Sequence, residues 1–460
     1  MGSLRSPSIL SLIAVVTRAG FGIVILPLVL KNYHSGDINI WFLFASIMTI
    51  QNALDVGFLP TMARYFAYAK GGNKSGIIPI QEENEENLIF LLYFTIKKVY
   101  NYLSLIIFFL LSTLGTILLY EPLKNSESTQ SNFYAWIVLL LVSSFYLRGN
   151  KYGSLLLGTN KVAELKFVEI ISSIASLTTS IVILSFRLPI AILLINNQIW
   201  ILFNILLNRM LCKKYYNFLW EANAYQFNST LFRSILSKSW KSGVGVFFST
   251  GIFQFSGLLY ANIGKADYVS IYLFSIRILT LISQIAQAPY YSKIPLMNAY
   301  FSKGELVKLL KLSKERISLS MWIFFIIALV LQYFGEFLFT LIGSNISFPP
   351  KFYWSVFILA FAFERLGAMH IQLYTVTNNI IWHISNGIAG VLFILSSLVF
   401  NNLYGIIAFP MAYLFSNALF FTPFNIYYSS KAFNINIFKF ERYASLPILL
   451  LLILNIIIND

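Results

Sequence analysis

Ile317-Ser-Leu-Ser-Met-Trp-Ile-Phe-Phe-Ile-Ile-Ala-Leu-Val-Leu-Gln-Tyr-Phe-Gly-Glu-Phe-Leu-Phe-Thr-Leu341 is an apolar run of 25 residues. As a helix it would rise about 37 Å at 1.5 Å per residue. The hydrocarbon core of a bilayer is about 30 Å thick, so the run is long enough to cross it. Lys303, Lys308, Lys311, Lys314 and Arg316 precede it, whereas Lys351 alone stands between it and the next run. Basic residues collect on the cytoplasmic ends of membrane helices, so the run also carries a direction.

Eleven similar runs accompany it. They cover residues 8–30, 38–60, 99–120, 133–155, 167–186, 190–208, 243–264, 268–288, 352–374, 384–400 and 403–427. A shorter run, 444–458, reads either as a thirteenth span or as a helix lying at the interface. The segment 1–30 has a long apolar run and no small-residue cleavage site, so it reads as the first span rather than a signal peptide. Hydrophobic residues make up 58% of the 460-residue chain and charged residues 11%. Soluble chains carry about 25% charged residues, so a soluble fold is excluded. The pattern predicts an all-α integral membrane protein of about 12, or 13, transmembrane helices.

With the N-terminus placed in the cytoplasm, 25 of the 33 Lys and Arg residues fall in inner segments or toward the inner end of a span (Arg148 and Lys151), and five in outer segments. This predicts a multi-pass membrane protein with a cytoplasmic N-terminus. The net charge of +15 therefore follows topology and contact with anionic membrane lipid, not nucleic acid. Cys212 is the only cysteine, which excludes an internal disulfide framework or a thiolate metal cluster. His34, His370 and His383 have no metal-ligand spacing. No catalytic constellation or cofactor motif is present, so a non-enzymatic protein without metal or cofactor is expected.

Residues 213–242 divide the chain into a first bundle, 1–212, and a second, 243–430, followed by a tail, 431–460. Ile40-Trp-Phe-Leu-Phe-Ala-Ser-Ile-Met-Thr-Ile50 resembles Ile271-Tyr-Leu-Phe-Ser-Ile-Arg-Ile-Leu-Thr-Leu281, each early in the second span of its half. Repeated six-span halves favour two six-helix bundles around a central cavity, as in many transporters. In the long loop 61–98, Glu82, Glu83, Glu85 and Glu86 read as the acidic first turn of a helix, with a docking site as the alternative.

Arg18, Arg277 and the pair Glu364-Arg365 fall near mid-membrane. A basic side chain there costs about 2.5–3.5 kcal/mol on insertion scales, so it faces a wet cavity or a partner. Arg277, Thr280, Gln284 and Gln287 follow helical spacing and form one polar stripe. Arg365, Ala368, Gln372 and Thr375 repeat that spacing. Arg18, Arg277, Arg365, Gln284 and Gln287 are thus the candidate substrate-binding residues. For Glu364-Arg365 the alternative is mutual neutralisation. Asp55, Arg64 and Glu364 are candidate gating or structural residues, the first two through an ion pair. A cavity with net positive charge favours an anion, and arginine binds phosphate bidentately.

Leu54-Asp55-Val56-Gly57-Phe58-Leu59-Pro60-Thr61-Met62-Ala63-Arg64 resembles a signature that ends the second span in polysaccharide flippases of the Wzx type. Those flippases belong to the multidrug/oligosaccharidyl-lipid/polysaccharide exporter superfamily. Ile263-Gly264-Lys265-Ala266-Asp267-Tyr268-Val269-Ser270-Ile271-Tyr272 with Arg277, and Arg18 in the first span, are also similar to that family's pattern. The resemblance implies a MATE-like fold of two six-helix bundles that open alternately to either side. It implies a substrate of polyprenyl diphosphate carrying an oligosaccharide, such as an O-antigen (lipopolysaccharide) or capsule repeat unit. Its implied partners are a polysaccharide polymerase and a chain-length regulator. Two rival functions remain: a MATE-like drug or metabolite antiporter, and a membrane polymerase or ligase of the same pathway. The first would need a carboxylate-lined cavity. The second would need a large external loop with paired catalytic residues.

Overall fold

In the computed structural model, residues 7–56, 58–70, 78, 84–221, 227–246, 252–263, 266–377, 379 and 381–459 are described. Among them the only regular structure is helix, and the chain is a multi-pass membrane protein. A bilayer interior offers no water to hydrogen-bond the backbone, so apolar runs of this length satisfy their amides internally. Contacts divide the chain into two compact units, Met1–Phe247 and Phe248–Asp460.

The first unit opens with α1 (Pro7–Asn32), α2 (Ser35–Val56) and the short α3 (Leu59–Lys70). Next comes α4 (Glu85–Leu110), which passes through a π-helical turn, Leu111–Gly115, into α5 (Thr116–Lys124). Then follow α6 (Thr129–Gly158), α7 (Val162–Ser185), α8 (Ile190–Tyr215), α9 (Phe218–Glu221) and α10 (Ser229–Val246). The segment expected to link two bundles thus contributes two helices to this unit. Asn84 caps α4 by accepting from the Glu86 amide at 2.9 Å, and Glu85 and Glu86 occupy its first turn. That part of the acidic run serves a helix start, where carboxylates meet the positive end of the helix dipole. Glu82 and Glu83 lie outside the described residues. Helix α6 packs against both α4 and α8, while α1 packs on α7.

The second unit contains α11 (Ile252–Ile263), α12 (Ala266–Tyr291), α13 (Ile294–Ser302), α14 (Leu306–Ile342), α15 (Lys351–Thr375) and α16 (Trp382–Tyr404). A 3-10 turn, Gly405–Ile407, leads into α17 (Ala408–Ser416), and a π-helical turn, Asn417–Phe421, leads into α18 (Thr422–Phe433). The unit closes with α19 (Ile437–Glu441) and α20 (Leu446–Asn459). Helix α15 is its core and packs against α12, α14, α17, α18 and α20. Its Trp354 indole donates to the Ala328 carbonyl at 3.2 Å, and its Phe357 ring stacks on Tyr272 with centroids 5.9 Å apart.

Among the described residues, eight helices are long and apolar enough to cross a membrane: Glu85–Lys124, Thr129–Gly158, Val162–Ser185, Ile190–Tyr215, Asp267–Asn298, Leu306–Ile342, Lys351–Thr375 and Trp382–Asn401. Helices α1, α2, α11 and the continuous α17–α18 stretch occupy the other four expected spans. The tail run forms α20, whose 14 residues rise about 21 Å, less than a hydrocarbon core. It docks through Asn455, which donates to Gln332 and Ser355 at 2.9 Å each and accepts from the Tyr333 hydroxyl at 3.1 Å.

Candidate functional site

The polar stripe of the second unit lies on α12 and meets α15. The residues of α12 from Val269 to Ile276 are buried, whereas Arg277, Thr280 and Gln287 are half-buried and Gln284 is exposed. The spacing thus puts the polar groups on the less covered side of the helix. Arg277 has no hydrogen bond or ion pair among the described residues. An unpaired guanidinium in a span is costly unless water or an anion meets it.

Glu364 and Arg365 sit mid-helix on α15, and their side chains are only 18% and 16% exposed. The Glu364 carboxylate takes two guanidinium donors of Arg365, from Nε and from a terminal nitrogen. The other terminal nitrogen donates to the Gln287 side-chain carbonyl. Glu364, Arg365 and Gln287 are therefore one network joining α12 to α15. Tyr291 and Tyr413 flank it. Of the two readings of this sequence pair, the structure has the one in which the acid neutralises its neighbour. Three of Arg365's five N–H donors are thus engaged, and its charge is compensated without a ligand.

In the first unit, Arg18 lies in the middle of α1, but its side chain is outside the described residues. Asp55 is buried near the end of α2, and its Oδ2 accepts from the Asn150 amide on α6 at 2.7 Å. Its Oδ1 has no hydrogen-bond partner among the described residues, and the Tyr100 phenol lies beside the carboxyl. Arg64 is exposed on α3 and donates to Thr61 at 3.2 Å. Asp55 and Arg64 thus have separate partners, and the anticipated ion pair between them does not form.

Sequence reading missed Asn150 as the partner of Asp55. It sits within Gly149-Asn-Lys-Tyr-Gly153, where the glycines draw attention to backbone packing instead. That packing is present, because a Cβ on Gly149 would lie 2.7 Å from the Ile205 side chain of α8. Other membrane polar groups bond between or within helices: Gln51 pairs with Ser143, and Gln198 donates to the Met48 sulfur at 3.5 Å. Among the described residues no three His, Cys, Asp or Glu side chains come together in a metal-binding group.

No protein-family model and no curated protein matches the sequence. Solved structures do share its fold. An inward-facing multidrug resistance MATE family transporter of the MOP superfamily is similar over 92% of this chain and 94% of its own, with a TM-score of 0.68 and 11% identity. The lipid II flippase MurJ, in an inward closed conformation, is similar over 97% of this chain and 91% of its own, with a TM-score of 0.64 and 14% identity. The Vibrio cholerae MATE transporter VcmN, in its bent form, is similar over 95% and 99%, with a TM-score of 0.54 and 14% identity. At these identities the likeness is one of fold.

Proposed function

We propose that this protein is an alternating-access flippase. Its substrate is a polyprenyl-diphosphate-linked oligosaccharide, a repeat unit of O-antigen or capsule, carried across the bacterial inner membrane. The observation that carries this reading is the unpaired guanidinium of Arg277 on the open stripe of α12. A cation left without a counter-ion in a span suits a diphosphate, which arginine binds by charge-assisted bidentate hydrogen bonds. The fold shared with a lipid II flippase supports a lipid-linked substrate. In this reading Gln284 and Gln287 extend the polar track, Arg365 holds Gln287 in place, and Arg18 is a further headgroup candidate in the first unit. Asp55 and Arg64 act at the cytoplasmic end of the second span. A polymerase and a chain-length regulator would receive the product.

The test is delivery of lipid-linked saccharide to the outer leaflet in cells carrying Arg277→Ala. A charge-assisted hydrogen bond contributes about 1.5–3 kcal/mol, so the flipping rate should fall about tenfold to a hundredfold. Arg277→Lys should recover part of it. Unchanged flipping at normal protein abundance would remove Arg277 from the mechanism.

Asp55 favours a second reading, an antiporter of the MATE kind that carries drugs or metabolites. A buried carboxylate with one oxygen unsatisfied suits a cation or a proton. On that reading Asp55→Asn abolishes cation-coupled efflux and Arg277→Ala does not.

A further inference from the structure

A second group of cations stands in the first unit, apart from the arginines considered above. Lys151 on α6 is 7% exposed. Its ammonium donates to the Arg148 carbonyl at 2.9 Å and lies 4.6 Å from the centre of the Tyr152 ring. The cations that act on it are Lys97 of α4, Arg148 of its own helix and Arg209 of α8, with the buried Cys212 thiol of α8 also near. Arg148 donates through Nε to Ser104 at 2.9 Å, and Lys97 faces the Phe94 ring. Among the described residues no carboxylate forms an ion pair with any of the four. Asp55, the buried acid on a neighbouring helix, is engaged by Asn150.

Burying a lysine among three further cations, with a carbonyl and a ring face as its only partners, opposes folding on two counts. The ammonium loses hydration, and its neighbours repel it. An anion settled among the four removes both penalties. The three helices bring the groups to one end of the unit. Lys97 lies in the first half of α4, while Arg148, Lys151 and Arg209 lie in the last halves of α6 and α8. Arg209 is exposed and the other two partners are half-buried, so the group has an open side. Two guanidinium forks and two ammonium points match the several oxygens of a phosphate better than a single carboxylate.

We propose that Lys97, Arg148, Lys151 and Arg209 form a binding site for a phosphate-bearing group, either a soluble phosphate or the phosphate of a membrane lipid. The site takes its ligand whether the transported molecule is a lipid-linked saccharide or a drug.

The experiment uses the full chain in nanodiscs of zwitterionic phosphatidylcholine. Pyrophosphate is titrated at constant ionic strength, with thermal stability and calorimetric affinity as readouts. A parallel arm replaces part of the lipid with phosphatidic acid and adds no soluble phosphate. Saturable stabilisation by pyrophosphate identifies a soluble ligand, and stabilisation in the phosphatidic acid arm alone identifies a lipid phosphate. In either case Arg209→Gln, an exposed substitution, should weaken the effect at least tenfold. Lys213→Gln, on the same helix but outside the cluster, should not. Lys151→Met should raise the melting temperature of the unliganded protein while weakening the ligand effect, because it removes the repelled charge together with the site. The proposal is overturned if neither arm stabilises the protein, if chloride alone reproduces the shift, or if Lys213→Gln matches Arg209→Gln.

Discussion

Replacing Glu364 by glutamine removes one charge and almost no volume. The structure makes the consequence calculable. Glu364 holds two of Arg365's donors, Gln287 takes a third, and both charged side chains are less than a fifth exposed. Glu364→Gln leaves a guanidinium in the middle of α15 with only neutral acceptors. Breaking a buried pair from one side costs about 3–5 kcal/mol, because the surviving charge has lost its counter-ion. Partial exposure argues for the lower end. At about 2–4 °C per kcal/mol for a unit of this size, a 3 kcal/mol loss lowers the melting temperature by about 6–12 °C. Arg365→Gln strands the carboxylate in the same way and should cost a similar amount. The double variant Glu364→Gln with Arg365→Gln leaves two neutral amides that can bond to each other and to Gln287. It should recover most of the loss, with a coupling energy of about 4–5 kcal/mol, far above the roughly 0.5 kcal/mol within which independent sites add. The assay is thermal unfolding of purified protein followed by size-exclusion chromatography for the wild type, both single variants and the double. Additive single and double variants would refute the argument, since the two residues would then be stabilised by separate partners.

Three further substitutions probe the packing of the two units. Asn455→Leu deletes the hydrogen bonds that tie α20 to Gln332, Ser355 and Tyr333. Interhelical hydrogen bonds in membranes average about 0.6 kcal/mol and reach about 1.7, so a loss of about 1–3 kcal/mol is expected. Protease release of a C-terminal epitope reports it, and unchanged protection would mean that α20 is not docked through Asn455. Gly158→Ala places a Cβ 2.2 Å from the Ala63 carbonyl oxygen and 2.6 Å from the Phe66 Cβ, so α3 must move away from α6. Overpacking of this kind costs about 1–3 kcal/mol. Gly153→Ala, where nothing lies within 4 Å of the new Cβ, should be neutral or stabilising by about 0.5–1 kcal/mol. Equal melting temperatures for the two alanine variants would contradict the close approach of α3 and α6.

The spans were legible because transfer of apolar residues into lipid depends on the run itself and not on its neighbours. Leu306–Ile342 and Lys351–Thr375 bracket the runs read at 317–341 and 352–374. Partners were not legible on the same terms. Asp55 and Asn150 are 95 residues apart, and no spacing rule links two spans at that separation. Successive helical residues point about 100° apart, so Glu364 and Arg365 could each have faced different helices. Only the folded-back side chains settle that they meet. Asn455 did carry a readable signal. It is the one polar residue inside Leu-Pro-Ile-Leu-Leu-Leu-Leu-Ile-Leu-Asn-Ile-Ile-Ile-Asn before its terminal Asn459, and a polar group so placed must find a partner or be costly to bury.

The Glu364–Arg365 pair bears on both proposed functions at once. A flippase reading wants free cations, and the pair takes Arg365 from that set. An antiporter reading wants a free carboxylate, and the same pair takes Glu364, the acid that would have supplied it in the second unit. Two ionisable groups with unmet demand remain among the described candidates, and they have opposite sign. Arg277 has no partner for its guanidinium, and Asp55 has one oxygen unsatisfied. They belong to different units. A diphosphate headgroup would meet the demand of Arg277 and leave that of Asp55 untouched, whereas a cation or proton would do the reverse. Stabilisation by an added anion that is lost in Arg277→Ala, or by an added cation that is lost in Asp55→Asn, therefore distinguishes the two functions before any transport is measured.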